Sequence, residues 1–218
     1  TTSWCPRLSE NKGDSTFEEA TERAGLDHCA LAHASNVLDV DGDGDLDVVI
    51  GDYYKPVDLQ DPKRWDFIWN SMVDADNGGP IHVWTNDGRG RFSRAEGDLG
   101  LKSRGWTLAI GAYDFRGTGR SDLWFATDFG ADQLYFNEGG GRFADDSSQL
   151  ADRHSRNGMS AEIADLDDDG RPAVYVTNIY VPGLRLGENM LWKWDGERFR
   201  SIAKERGVGR CGWAWGAK

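Results

Sequence analysis

The stretch DVDGDGDLDVV, residues 39–49, places five aspartates at alternate positions and then turns apolar. Carboxylates at this density repel one another unless a cation lies among them. Counted from Asp39, the aspartates stand at positions 1, 3, 5, 7 and 9, with Gly44 at position 6, where a sharp turn fits. Oxygen ligands in this number are typical of Ca²⁺ rather than Mg²⁺ or a soft metal. We therefore predict a calcium site formed by Asp39, Asp41, Asp43, Asp47 and the backbone carbonyl of Asp45.

The same spacing opens an EF-hand loop, but that interpretation fails on two counts. Position 12 is Ile50, where an EF-hand needs a bidentate Glu. The residues after the loop, DVVIG, favour a strand rather than a helix. The stretch is thus predicted to be a calcium loop between two strands, and the alternative is a solvated acidic turn without an ion.

The layout of this stretch recurs twice along the chain. AIGAYDFRGTGRSDLWFATD (109–128) and AEIADLDDDGRPAVYVTN (161–178) both have an apolar lead, an acidic Gly-bearing loop and an apolar run. Each unit then ends in a hairpin signal: WTNDGRGRF (84–92), YFNEGGGRF (135–143) and LWKWDGERF (191–199). Repeats of about 50 residues with four short strands are typical of β-propeller blades.

We accordingly predict an all-β fold of four-stranded antiparallel blades, about three complete and others partial, and not the alternative β-sandwich. An N-terminal extension would cover residues 1–16 and the blades residues 17–218. In the second unit the strands are expected at 106–113, 122–127, 133–137 and 142–146. Trp213 has the same sequence surroundings as Trp106, which precedes the second acidic loop. We therefore expect the chain to stop just before another such loop, without closing a ring.

The second and third loops depart from the first. In the third loop, position 9 is Ala173, which predicts a weaker, partial calcium site formed by Asp165, Asp167, Asp169 and Arg171. In the second loop, Arg116 and Thr118 replace two of the aspartates. We predict no metal there, because Arg116 can act as a built-in cation that bridges Asp114 and Asp122.

The first unit carries an insertion, residues 53–79, between its second and third strands. Within it, residues 61–76 are predicted to form a helix, with Asp61 as the cap and Pro62 in the first turn. Its apolar stripe consists of Trp65, Ile68, Trp69, Met72 and Val73. Two interpretations stay open, since the stripe can pack on its own fold or dock a protein partner.

Composition narrows the class of protein. The net charge of −12 argues against nucleic acid and anionic membranes as partners, and no apolar run is long enough to span a bilayer. The three cysteines are too few for a disulfide framework, although one disulfide and one free thiol are possible. The four histidines show no metal-ligand spacing, and no nucleophile motif is present, so we predict that the protein is not an enzyme.

Several of these segments resemble FG-GAP/VCBS repeats: DVDGDGDLDVVIGD (39–52), NEGGGRF (137–143), GENMLWKWDGERFRSIAKERGV (187–208) and GWAWGA (212–217). The sequence is most similar to propellers of the ASPIC/UnbV and cartilage-acidic-protein type, and more distantly to integrin α-chain propellers. The resemblance implies a Ca²⁺ loop between the first two strands of each blade and an extracytoplasmic location. The sequence departs from that family pattern at Arg116, Thr118 and Ala173.

The sequence therefore predicts a calcium-binding, non-catalytic adhesion or assembly module. Its expected partner is another protein, an extracellular assembly or further blades of the same chain. One alternative is a carbohydrate-binding, lectin-like propeller with Trp84, Trp124 or Trp192 as aromatic platforms. A less favoured alternative is a polysaccharide lyase or dehydratase, which would need a basic or metal-bound catalytic centre.

Overall fold

The computed structural model describes residues 5–26, 31–55, 69–150, 156–179 and 187–218. A two-stranded hairpin comes first, formed by β1 (Ser9–Asn11) and β2 (Phe17–Glu19), and the short helix α1 (Thr21–Ala24) follows. The hairpin spans the boundary expected at residue 16, because β2 pairs with β1 rather than with a later strand.

Three four-stranded antiparallel sheets follow in chain order. Sheet 1 contains β3 (Leu31–Leu38), β4 (Asp47–Tyr54), β5 (Ile81–Asn86) and β6 (Phe92–Arg94). Sheet 2 contains β7 (Trp106–Tyr113), β8 (Asp122–Asp128), β9 (Gln133–Gly139) and β10 (Arg142–Asp145). Sheet 3 contains β11 (Ser160–Ala164), β12 (Ala173–Thr177), β13 (Met190–Trp194) and β14 (Phe199–Ser201), and the helix α2 (Ala203–Arg206) follows it.

Each sheet has its strands in sequence order, as consecutive antiparallel neighbours. The prediction of an all-β chain with four-stranded antiparallel units is therefore confirmed. In sheet 2, the four observed strands lie within one or two residues of the predicted bounds. Such agreement arises because alternating apolar residues and Gly-containing turns fix both the strands and their hairpins locally.

Sheet 2 is buried on both faces between the other two sheets. On one face, Leu123 and Phe125 pack in a cluster with Val49 and Val83 of sheet 1. On the other face, Trp124 packs in a cluster with residues of sheet 3. Alternate side chains of a strand point to opposite faces, so the run LWFA in β8 is apolar throughout because neither face meets water. The first strands of successive sheets, β3, β7 and β11, are also in contact.

The segment between β6 and β7 locks sheets 1 and 2 together. The Phe143 amide donates to the Leu99 carbonyl at 2.8 Å. Gly100 has a φ of +81°, and a Cβ there would overlap the Phe143 carbonyl oxygen. Gly25 also has a positive φ, and a Cβ there would overlap the Phe92 carbonyl oxygen. The same contact therefore recurs before sheet 1 and between sheets 1 and 2, which is the behaviour of a structural repeat.

The predicted helix at 61–76 is wrong over its described part. Residues 61–68 lie outside the described residues, and residues 69–76 are not helical. The Ser71 hydroxyl accepts from the Asp74 amide at 3.0 Å, and the Asn70 side chain donates to Asp76 at 2.7 Å. Short polar side chains that bond to nearby groups in this way compete with the helical hydrogen bonds.

The end of the insertion contacts sheet 2 and still presents apolar surface. The Trp69 ring stacks on Phe129, with centroids 4.4 Å apart and an angle of 15° between the planes. Trp69 nevertheless keeps 39% of its surface exposed, and Met72 keeps 48%. The stacking supports packing of the stripe on its own fold, and the exposed surface supports docking of a protein partner. Trp65 and Ile68 lie outside the described residues.

The two described cysteines differ in their oxidation state, which is compatible with the sequence prediction. Cys5 is disulfide-bonded, whereas Cys211 is a free, exposed thiol. Cys29 lies outside the described residues. Among the described residues, one cysteine is therefore disulfide-bonded and one carries a free thiol.

Candidate metal centre

Three acidic loops occupy equivalent places in the three sheets. Each joins the first strand to the second: residues 39–46 between β3 and β4, 114–121 between β7 and β8, and 165–172 between β11 and β12. The first loop also touches the neighbouring sheet, since the Asn137 side-chain amide donates to the Val40 carbonyl at 3.0 Å. Because the three loops share one backbone setting, differences between them can be assigned to their side chains.

The first loop brings three of its five aspartates together. Carboxylate oxygens of Asp39, Asp41 and Asp43 all lie within 4.8 Å of one another. The Asp39 carboxylate accepts from the amides of Gly42 at 2.7 Å and Gly44 at 3.0 Å, which folds the loop around it. Within the described residues, no basic side chain forms an ion pair with any of these three aspartates. The cluster therefore holds concentrated negative charge that no cation of the described part of the chain neutralises.

Asp47, at position 9 of the loop, is fully buried and connects the loop to a neighbouring strand. Its carboxylate accepts from the amides of Val40 and Asn86, both at 2.8 Å, and so ties the loop to the end of β5. Burial raises the pKa of Asp47, and the negative charges of Asp41 and Asp43 add to that rise.

Asp122 repeats this arrangement in sheet 2. Its carboxylate accepts from the amides of Phe115 at 3.2 Å and Asn137 at 2.8 Å. Burial raises its pKa as well. The carboxylate at position 9 therefore fastens the loop to the third strand in both sheet 1 and sheet 2. Neither Asp47 nor Asp45 belongs to the first-loop cluster, and Asp45 lies against Gly88 instead.

The second loop contains its own cation, as predicted, but with a different second partner. The Arg116 guanidinium pairs with Asp122 at 3.2 Å and with Glu138 at 3.0 Å, and lies over the Phe136 ring, 4.3 Å from its centroid. The expected bridge to Asp114 is wrong. Asp114 accepts from backbone amides of its own loop, among them that of Thr118 at 2.9 Å.

The third loop also contains a cation, which the sequence analysis missed. The Lys193 ammonium lies 2.9 Å from Asp169, 3.5 Å from Asp167 and 3.9 Å from Asp165, and it donates to the Arg171 carbonyl at 2.8 Å. Only 7% of Lys193 is exposed. Its hydrogen bond to Asp169 holds the pKa of that carboxyl below the ordinary value.

A second basic residue supports the third loop from outside. The Arg206 guanidinium makes two hydrogen bonds to the Asp167 carboxylate, at 2.8 and 3.0 Å. The available sequence signal was the hairpin LWKWDGERF, where a lysine stands in a strand that is otherwise apolar. Every residue predicted for the partial calcium site in this loop therefore has a basic partner or a contact with Lys193.

The tryptophans suggested as sugar platforms cannot serve in that role. Trp84, Trp124 and Trp192 are all buried between sheets or under neighbouring segments. A stacking platform needs an exposed ring face, so this form of the carbohydrate hypothesis is wrong. The most exposed indoles among the described residues are those of Trp213 and Trp215, which stack on one another with centroids 6.3 Å apart.

A comparison with protein families finds a match for part of this chain. Residues 114–176 match the model of the FG-GAP-like repeat, which confirms the resemblance stated above for a segment from the second loop into β12. The chain therefore contains an FG-GAP-like repeat. The closer similarity to ASPIC/UnbV and cartilage-acidic-protein propellers stays a prediction.

Comparisons with individual proteins are less informative. No curated protein matches the sequence. A solved structure of an Agrocybe aegerita lectin that recognises non-reducing terminal N-acetylglucosamine aligns with a TM-score of 0.49 and 19% identity, over 89% of this chain and 44% of the lectin. The V. cholerae biofilm matrix protein Bap1 aligns with a TM-score of 0.37 and 17% identity, over 88% of this chain and 37% of Bap1.

This chain thus spans less than half the length of either solved protein. Both TM-scores are below 0.5, so neither similarity establishes a shared fold or function. Within the described residues, no helix has the length and apolar character needed to cross a membrane.

Proposed function

We propose that this chain is a calcium-binding, non-catalytic module built from β-propeller blades, and that it acts outside the cytoplasm. The observation that carries the calcium proposal is a difference among three equivalent loops. The second loop pairs its buried carboxylate with Arg116, and the third holds Lys193 among its aspartates. In the first loop, Asp39, Asp41 and Asp43 converge without a basic partner among the described residues.

The donor set of the first loop suits Ca²⁺. Three partly exposed carboxylates offer hard oxygen ligands, with space for the loop carbonyls and water that complete a Ca²⁺ shell. Asp39, Asp41 and Asp43 would hold the ion, with the backbone carbonyl of Asp45 as a further ligand. The bound ion would reduce the repulsion among these carboxylates, and the hydrogen bonds that the Asp47 carboxylate accepts from the amides of Val40 and Asn86 would tie the loop to the end of β5.

Other observations support the propeller and the location. Three consecutive sheets of the same topology stack in chain order, which is the arrangement of blades. The disulfide at Cys5 favours an oxidising compartment, and extracellular Ca²⁺ concentrations suit a site of modest affinity.

We propose a protein partner for the exposed end of the insertion. Trp69 and Met72 both expose apolar surface, and the Trp69 ring is held in place by its stacking on Phe129, which suits an anchor at a binding surface. For the lyase or dehydratase alternative, His82 is the described residue that best resembles a base. Both of its ring nitrogens are engaged, one with Asp52 at 3.1 Å and the other with Arg94 at 2.5 Å. This arrangement favours a structural histidine.

Calcium is expected to raise the melting temperature of the chain. With a dissociation constant on the order of 0.1–1 mM, 10 mM Ca²⁺ should raise Tm by roughly 3–10 °C over the same protein in EGTA. The D41N/D43N variant should lose this response, because it removes two of the three converging carboxylates. Differential scanning calorimetry measures both effects.

The matched control is Asp45→Asn, which changes one charge in the same loop outside the cluster. It should keep the calcium response, since Asp45 is expected to contribute only its carbonyl. An unchanged Tm of the parent chain between EGTA and 10 mM Ca²⁺ would contradict the proposed function, and so would an unchanged response in D41N/D43N.

A further inference from the structure

We propose that Lys193 takes the place of a metal ion in the third acidic loop, so that this loop is closed by the protein's own cation and binds no calcium. This assignment replaces the partial calcium site predicted from the sequence at residues 165–171. It also names the residue that decides which of the repeated loops is metal-dependent.

The first argument is the strand register. On β12 and β13, Lys193 lies directly opposite Ala173, the residue at position 9 of the third loop. In sheet 1, Val48 pairs with Trp84, so the corresponding partner of Asp47 is Thr85. At this pair of positions the third loop therefore differs from the first by two changes, since a carboxylate is lost from one strand and an ammonium is gained on the strand opposite.

The second argument is the set of atoms around the ammonium. Lys193 contacts the carboxylates of Asp165, Asp167 and Asp169 and the carbonyl of Arg171. These are the four groups that the loop pattern assigns to a cation. A lysine ammonium has three donors and no acceptor, so it satisfies several oxygen atoms at once. A second cation in the same space would meet the charge of Lys193 at close range.

The third argument is the way in which the lysine is held. Its side chain is almost fully buried, and a buried ammonium is stable only with close anionic partners. Arg206 also pairs with Asp167, at 2.8 Å. The carboxylates of Asp165, Asp167 and Asp169 thus have two basic partners, Lys193 and Arg206, whereas no basic side chain among the described residues pairs with Asp39, Asp41 or Asp43.

The test introduces into the third loop of the full chain the two residues that stand at the equivalent positions of sheet 1. Lys193→Thr copies Thr85, and adding Ala173→Asp copies Asp47. In EGTA, K193T is expected to melt roughly 2–6 °C below the parent, because the ammonium that contacts three partly exposed carboxylates is removed. Calcium at 10 mM should recover part of that loss, by a larger Tm rise than the parent shows. The K193T/A173D variant should bind one more Ca²⁺ than the parent in calorimetric titration.

The control is Lys204→Thr, which removes an exposed lysine from the adjacent helix α2 and should change neither Tm nor the number of ions bound. If K193T does not fold, as judged by circular dichroism, Lys193→Met keeps the aliphatic packing and removes only the charge. Equal melting of the parent and K193T (or K193M) in EGTA would overturn the proposal. Where the parent itself binds calcium, an unchanged number of bound ions in K193T/A173D would also overturn it.

The gain of an ion rests on the proposed function, because it uses the first loop as the template of a calcium site. The two ideas fail in different ways. If the first loop binds no calcium, the parent shows no bound ion, and the melting loss of K193T in EGTA still supports the role of the lysine.

Discussion

Replacing Trp124 by alanine is expected to lower the free energy of unfolding by about 3–5 kcal/mol. Trp124 is fully buried at the centre of β8, and its ring contacts Trp192 and Phe199 of sheet 3, with centroids 6.1 and 5.2 Å away. Truncation would leave a cavity in the layer that holds sheets 2 and 3 together. Urea denaturation, followed by tryptophan fluorescence and circular dichroism, measures the loss.

Trp215→Ala is the matched control for this prediction. The Trp215 ring is 66% exposed, so its loss should change the free energy of unfolding by no more than about 0.5 kcal/mol. If the two variants were equally stable, the burial of Trp124 between the sheets would be contradicted. The comparison also tests why buried tryptophans were unsuitable as sugar platforms.

Replacing Asp122 by alanine is expected to cost a similar amount, about 3–5 kcal/mol, for an electrostatic reason. The Asp122 carboxylate is fully buried and accepts from Arg116 and from the amides of Phe115 and Asn137. Alanine would leave a guanidinium and two buried amides with fewer partners. Chemical denaturation at neutral pH gives the size of the loss.

A double-mutant cycle separates the ion pair from the other contacts of Asp122. Arg116→Met removes the charge and keeps much of the aliphatic chain over Phe136. The D122A/R116M variant should be more stable than the sum of the two single losses predicts, because no guanidinium remains that has lost its buried carboxylate partner. Strict additivity would mean that Arg116 is not a built-in cation for this loop.

The strands of sheet 2 could be predicted almost to the residue, while the insertion could not. Apolar runs and the hairpin NEGGGRF act locally, and local signals are present in the sequence itself. The apolar period of residues 65–73 also resembled a helix. Ser71 and Asn70 gave the described part of that segment other hydrogen bonds, and Trp69 found a stacking partner in Phe129, 60 positions along the chain.

The acidic loops show most clearly which features follow from the sequence and which depend on the tertiary structure. By itself the sequence determined where carboxylates are concentrated, and that the second loop has its own arginine, because those residues lie within a few positions of one another. Only the tertiary structure decided the state of the third loop. Lys193 follows Asp169 by 24 residues, and the register of β12 with β13 is what brings its ammonium to 2.9 Å from that carboxylate. Charge neutralisation depends on distance in space, and that distance is set by strand pairing rather than by sequence spacing.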